Sequence, residues 1–93
     1  MNRKELIFAL ASKTGGSRAD ADRSVSALIE IISGTLEAGG KVTLSGFGIF
    51  EVRERAARNG RNPKTGQSLQ IKASRVPSFR PGTTLKAAIN SNS

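Results

Sequence analysis

Residues Gly60–Gly66 read GRNPKTG and have the composition of a β-hairpin turn. Pro63 fixes its own φ near about −65°, and the closing glycine permits a positive φ. Stretches with two-residue alternation lie on both sides of this turn, EVRERAARN over residues 51–59 and QSLQIKASRVPSF over residues 67–79. The pattern predicts one long antiparallel hairpin with Pro63 at its apex.

The predicted hairpin is basic and poor in apolar residues toward its tip. Alternation places Arg53 and Arg55 on one face, with Arg58 and Arg61 further out. At about 3.3 Å per residue, the strand that ends at Pro63 would reach roughly 40 Å. A two-stranded ribbon is marginally stable alone in water, so we expect this arm to be mobile until something binds it.

A further short strand precedes the hairpin. In KVTLSGFGIF (residues 41–50), Val42 and Leu44 alternate with polar residues, and Gly46-Phe47-Gly48 then forms a turn. We expect the phenylalanines of this region to pack in a core, since base stacking would need them exposed on a sheet face. The strand and the hairpin together predict an antiparallel sheet.

Helical signals lie at both ends of the sequence. Asn2 and Glu5 have the spacing of a capping box, and Gly15-Gly16 ends the first helix. Ser17 caps a second helix, with Asp20 at the reciprocal position, and this helix ends at Gly39-Gly40. After Pro81-Gly82, a third short helix is predicted with Thr83 or Thr84 as its cap.

The second helix carries an apolar stripe typical of a core or a dimer seam. A DNA-reading helix-turn-helix is the alternative interpretation, but the outward positions offer few side chains suited to base edges. The residues of this apolar stripe recur at steps of three or four and are Val25, Leu28, Ile29, Ile32 and Leu36.

The distribution of charge indicates a polyanionic partner. The net charge is +8 and the pI is about 11.2. Residues 1–50 hold six basic and five acidic side chains, whereas residues 51–93 hold nine and two. Such asymmetry favours nucleic acid first and an anionic membrane surface second, with a surface tuned only for solubility as the third interpretation.

Composition excludes several kinds of chemistry. The chain has no cysteine and no histidine, so it offers no disulfide, no soft-ligand zinc site and no Ser-His or Cys-His catalysis. Glu51 and Glu54 alternate with arginines, as in a solvated ion-pair pattern. We expect no enzyme activity, no cofactor and no metal, and, without a membrane span or signal peptide, a cytoplasmic location.

The sequence resembles the bacterial HU/IHF family of histone-like DNA-binding proteins. The residues that carry the resemblance are TLSGFGIFEVRERAARNGRNPKTG (residues 43–66) and VPSFRPG (residues 76–82), and it covers almost the whole chain. It implies an α+β intertwined dimer with an α-helical base and a three-stranded antiparallel sheet whose long hairpin forms a DNA-binding arm. Residues 1–93 are then one domain, with the dimer body at 1–50 and 76–93 and the arm at about 51–75.

The resemblance also implies roles for individual residues. Pro63 takes the position of a wedge between base pairs. The other DNA-binding residues of the arm are Arg53, Arg55, Arg58, Arg61, Asn62, Lys64, Lys72 and Arg75. The body residues placed where the family holds phosphates are Arg3, Gly46, Gly48, Arg80 and Lys86. The dimer core comprises Val25, Leu28, Ile29, Ile32, Leu36, Phe47, Phe50 and Phe79.

The function implied by the resemblance is architectural. A nucleoid-associated homodimer, or a heterodimer with a related subunit, bends, wraps and compacts double-stranded DNA with little sequence preference, and favours bent, nicked or gapped duplexes. An IHF-like subunit that binds defined sites is one alternative, and an RNA-binding basic protein is a weaker one. The sequence departs from the family pattern at Gly16, where an apolar residue is expected, and at Thr83, where many relatives have lysine.

Overall fold

The computed structural model describes residues 1–91, which form three helices and five strands. The elements divide into two compact units, Met1–Thr35 and Leu36–Ser93. This composition confirms the predicted α+β class. In chain order the elements are α1 (Arg3–Thr14), α2 (Arg18–Glu37), β1 (Val42–Leu44), β2 (Gly48–Arg55), β3 (Arg58–Arg61), β4 (Ser68–Ile71), β5 (Ser74–Pro81) and α3 (Thr83–Asn90).

The ends of α1 follow the predicted capping signals. The Glu5 N–H donates to Asn2 Oδ1 at 2.9 Å, and the Asn2 N–H donates to Glu5 Oε1 at 3.4 Å, which completes the capping box. Gly15 closes the helix in the left-handed region with φ 74°. Both ends of α1 are therefore fixed by local sequence.

Local signals also set the ends of α2. Ser17 Oγ accepts a hydrogen bond from the Asp20 N–H at 3.1 Å, as expected for an N-cap residue. The helix continues through Gly34 and ends at Glu37. The Gly39 N–H then donates to the Leu36 carbonyl at 3.0 Å, and Gly39 has φ 87°. The glycine is required there because few other residues adopt a positive φ.

Very little of the apolar surface is covered within one chain. The buried hydrophobic residues of the described chain are Ala11, Ala21 and Val25. Of the predicted dimer core, Val25 is 7% exposed, whereas Leu28 and Ile29 are 55% and 48% exposed. The stripe on α2 is therefore open at Leu28 and Ile29 in the single chain, while Ile32 and Leu36 are half-buried.

Strands β1, β2 and β5 form an antiparallel sheet in that spatial order. Phe50 is paired with Phe79 across β2 and β5. The Phe79 ring lies 4.9 Å from the Phe50 ring and 5.3 Å from the Phe47 ring, centroid to centroid, and both pairs are tilted. These distances are typical of favourable aromatic pairs. Phe47 and Phe79 are nevertheless 46% and 39% exposed in the single chain, so their burial in a core stays a prediction.

Strands β3 and β4 continue the hairpin but form a separate two-stranded ladder. The register that pairs Arg55 with Ser74 is unchanged where Arg58 pairs with Ile71, so no residue is inserted between the two ladders. The ladder is open over residues 56–57 and 72–73. The sequence predicted an unbroken hairpin. The break falls at alanine-rich positions, where small side chains provide little cross-strand packing.

The start of α3 differs from the prediction. The N-cap residue is Gly82, without a side-chain cap bond, and Thr83 and Thr84 lie inside the helix. The Gly82 N–H donates to the Phe47 carbonyl at 2.8 Å, and a Cβ at Gly82 would lie only 2.7 Å from the Gly46 oxygen. Close approach of two backbone segments therefore selects glycine at the cap. No helix of the described chain is long and apolar enough to cross a membrane.

Candidate nucleic-acid interface

The apex of the arm is a compact, hydrogen-bonded turn. The Asn62 N–H donates to the Gln67 carbonyl at 2.9 Å, and the Gly66 N–H donates to the Asn62 carbonyl at 2.7 Å. Asn62 Oδ1 also accepts from the Lys64 N–H at 2.9 Å, and Gly66 has φ 72°. The Pro63 ring takes part in none of these hydrogen bonds and is exposed at the apex. The turn therefore holds a rigid apolar ring in solvent.

Six cationic side chains along the arm are exposed and unpaired. In residues 1–91 no hydrogen bond or ion pair is made by their charged groups, although an opposite charge is present on the same hairpin at Glu54. They are the predicted arm residues Arg53, Arg55, Arg58, Arg61, Lys64 and Lys72. These cations can bind an external anion without first breaking an ion pair of the protein. An exposed pair with Glu54 would in any case contribute little.

The outer ribbon has two different faces. Alternation places Arg58 on the same face as Ile71, its cross-strand partner, and as Gly60. Ile71 Cδ1 lies 3.1 Å from the position of a Cβ at Gly60, and Leu69 and Ile71 are 45% and 40% exposed. Arg61 projects from the other face. The arm thus combines an exposed apolar strip with cations on both sides.

Arg75 differs from the other predicted arm cations. Its Nη2 atom donates to the Leu36 carbonyl at 3.2 Å, and both Nη atoms lie 3.4 Å from the Glu37 carbonyl oxygen. The guanidinium therefore lies at the C-terminal end of α2. The family resemblance assigned Arg75 to DNA, and its partners lie 38 and 39 residues away in the chain, where no local pattern indicates them.

Two of the predicted body cations are already paired. Arg3 Nη2 donates to Asp22 Oδ1 at 3.2 Å and to Ser26 Oγ at 2.6 Å. Arg80 Nη2 donates to Glu51 Oε2 at 3.4 Å, where the carboxylate side chain is 20% exposed. No local pattern indicates the first pair, because its members lie on different helices. Both pairs would have to open for these arginines to bind phosphate.

The two predicted phosphate-binding glycines have packing roles. Gly46 has φ 80°, and its carbonyl accepts from the Leu85 N–H at 3.1 Å. A Cβ at Gly48 would lie 2.5 Å from the Phe79 ring. These contacts explain both glycines without an anion, and a phosphate contact at either stays a prediction. Lys86, on α3, carries an exposed ammonium.

Comparison with known proteins identifies the family. The model of the family described as "Bacterial DNA-binding protein" matches residues 1–90. The chain belongs to this family. Its relatives include the DNA-binding protein HU-1 of Halalkalibacterium halodurans, 52% identical over 90 residues that cover 97% of this chain and 100% of the relative. The DNA-binding protein HU of Geobacillus stearothermophilus is 54% identical over 89 residues, which cover 96% and 99% of the two chains.

Solved structures of family members share the fold. The Anabaena HU–DNA cocrystal structure matches with a TM-score of 0.89 at 44% sequence identity, over 97% of this chain and 98% of that chain. HU from Thermotoga maritima matches with a TM-score of 0.71 at 32% identity, over 97% and 100% of the two chains. These matches confirm the resemblance to the HU family and the α+β fold of the single chain.

Proposed function

We propose that two copies of this chain form a homodimer that bends and compacts duplex DNA with its two arms. As a member of the HU family, the chain is a non-sequence-specific architectural DNA-binding protein. DNA binding implies association with the nucleoid. The arms would follow the minor groove, and each Pro63 would act as a wedge between two base pairs.

The observation that carries this proposal is the row of unpaired cations that leads to Pro63. Each arginine or lysine that neutralises a phosphate releases a condensed counterion, so affinity should fall steeply with salt. A guanidinium is also suited to a narrow minor groove, where the negative potential is enhanced. The same side chains have few means of reading base edges, because the minor groove mainly distinguishes A·T from G·C.

The apex turn supports the role of Pro63 as a wedge. Asn62 and Gly66 close the turn by main-chain and side-chain bonds, so the ring keeps its exposed position without a partner. Inserting an apolar wedge unstacks a base step and kinks the duplex. A preorganised ring loses little conformational entropy on insertion, which favours proline at this place.

Exposed apolar surface supports the dimer. Large side chains such as Leu28, Ile29 and Ile31 on α2, and Phe47 near the sheet, are between 46% and 63% exposed. A soluble chain of this size rarely leaves so many large apolar groups in water. A second copy that covers them would place residues 1–50 and 76–93 in the dimer body and leave residues of about 51–75 as the arm.

The body would add phosphate contacts beside the arm. The N-terminus of α3 has no side-chain cap, and the Leu85 N–H is already bonded to the Gly46 carbonyl, so the N–H groups of Thr83 and Thr84 are the ones suited to an anion. Arg3 and Arg80 would exchange their carboxylate partners for phosphates. The exchange costs little at Arg3, because its ion pair with Asp22 is exposed and such pairs contribute only about 0–1 kcal/mol.

A non-enzymatic role agrees with the names of the HU relatives. In the described residues, no cluster of three or more His, Cys, Asp or Glu side chains is placed to hold a metal ion. We assign the chain no catalytic step. No observation in the arm supports site-specific binding of the IHF type. Its exposed cations are suited to phosphates and to the minor groove, which distinguishes few base pairs.

The proposal is tested by a paired binding titration at one salt concentration. One duplex is intact, and the other is identical except for a central gap of two nucleotides. Tighter binding to the gapped duplex, by more than about tenfold, is expected because bending energy then no longer opposes the complex. Equal affinity would contradict bending, and a footprint at one strong site in random-sequence DNA would contradict non-specific binding.

A further inference from the structure

The contacts of Arg75 point to a role other than phosphate binding. We propose that its guanidinium is a positioning group that ties the returning strand β5 to the end of α2 and thereby sets the direction in which the arm leaves the sheet. This inference rests on the proposed DNA-bending function and assigns one residue a distinct part in it. The family resemblance had placed Arg75 among the residues that contact DNA.

The anchor is a fork of hydrogen bonds to two successive carbonyls. Arg75 Nη2 lies 3.2 Å from the Leu36 oxygen, and Nη1 and Nη2 each lie 3.4 Å from the Glu37 oxygen. The Leu36 oxygen also accepts from the Gly39 N–H at 3.0 Å. The planar guanidinium can span two acceptors at once, which a point-like ammonium cannot do equally well.

The position is favourable for a cation. The last carbonyls of a helix have no intrahelical partner, and the C-terminal end of the helix dipole is negative. No basic residue of α2 itself lies in its last turn. Arg75 therefore supplies from the sheet the positive charge that the helix lacks.

Arg75 differs from the neighbouring arginines of the arm in its hydrogen-bond partners. Glu54 stands directly opposite Arg75 in the β2–β5 register. In the part of the chain that the structure describes, the guanidinium donates to the helix carbonyls and not to that carboxylate. Arg53 and Arg55 have no such anchor. Arg75 is thus committed to the fold, whereas the six unpaired cations of the arm remain available.

Arg75 also lies at the base of the arm, where an anchor restricts the direction of the arm most strongly. The β2–β5 ladder ends one pair further on, at Arg55 and Ser74, and the hairpin is open over residues 56–57 and 72–73. Arg75 therefore lies next to the last strand pair of the sheet before the opening. Without these hydrogen bonds, the arm would have a wider range of directions available at its base.

The test compares Arg75→Gln with Arg58→Gln as a matched control on the arm. Both changes remove one guanidinium, and each variant is titrated with the same duplex over a series of salt concentrations. Arg75→Gln should weaken binding by about three- to tenfold while the slope of log K against log salt stays that of the parent. Arg58→Gln should reduce that slope by about 0.9 for each phosphate that is no longer neutralised.

The outcomes separate this inference from the arm function. An unchanged slope for Arg58→Gln would contradict the arm function itself. A slope reduced equally in both variants would identify Arg75 as a phosphate ligand and overturn the positioning role. Titrations are made well below the melting temperature of both variants. A lower Tm with parental affinity would mean that Arg75 only stabilises the fold, which also overturns the proposal.

A second variant keeps the test valid if Arg75→Gln does not fold. Arg75→Lys retains the charge but not the fork. A positioning role predicts affinity below the parent, an unchanged salt slope, and faster amide hydrogen exchange at Gly39 and Val76 in the free protein. Parental affinity and parental exchange in Arg75→Lys would show that charge alone matters, and the anchor would be rejected.

Discussion

The Phe79 ring occupies the space where a side chain on Gly48 would lie. A Cβ placed at Gly48 would be 2.5 Å from Phe79 Cζ and 2.7 Å from the Arg80 carbonyl oxygen. Both distances are too short for real atoms, and one neighbour is main chain. Since Phe79 also contacts the Phe47 and Phe50 rings, the aromatic cluster depends on the absence of a side chain at residue 48.

Replacement of Gly48 should therefore destabilise the protein. Gly48→Ala is expected to lower the free energy of unfolding by about 1–3 kcal/mol or more, the usual effect of overpacking. Denaturant titration followed by circular dichroism measures the change. Gly16→Ala is the control, because a Cβ there meets only Thr14 Oγ1 at 3.5 Å, and its stability should be equal to the parent or slightly higher. Equal stability of the two variants would contradict the close-packing argument.

The exposed part of the apolar stripe on α2 gives a test of the dimer. Ile29→Glu places a charge on the proposed seam, whereas Ala27→Glu places the same charge on the opposite face of the helix. An unpaired charge in a covered apolar interface costs about 3–5 kcal/mol, so Ile29→Glu should raise the dimer dissociation constant by more than about 100-fold. Sedimentation equilibrium measures it. A monomeric parent at micromolar concentration, or equal dimerisation of both variants, would refute the proposed seam.

Features set by near neighbours in the chain could be predicted from the sequence. Asn2 with Glu5, Gly15 and Ser17 define helix ends through contacts that span a few residues, and each was found as expected. The hairpin and its turn follow from two-residue alternation around Pro63. Local propensity and hydrophobic period determine these elements almost alone.

Features set by distant neighbours could not be predicted in the same way. Alternation continues through Ala56, yet the ladder opens there because strand pairing depends on what the opposite strand supplies. Gly82 displaces the expected threonine cap because its backbone meets that of Gly46, 36 positions earlier. Arg75 is similar: the family resemblance implies a contact with DNA, and only the fold shows the α2 carbonyls beside the guanidinium.

The wedge assignment predicts that Pro63 matters more for bending than for binding. Pro63→Ala removes the apolar ring, and the turn should persist because its bonds involve Asn62, Lys64, Gly66 and Gln67. The bend angle, measured by energy transfer between the ends of a labelled duplex, should fall clearly while affinity falls by only a few-fold. Pro63→Leu is the matched control, since leucine also serves as a wedge and should retain most of the bend. An unchanged bend angle in Pro63→Ala would leave the ring as a turn residue only and remove the wedge from the mechanism.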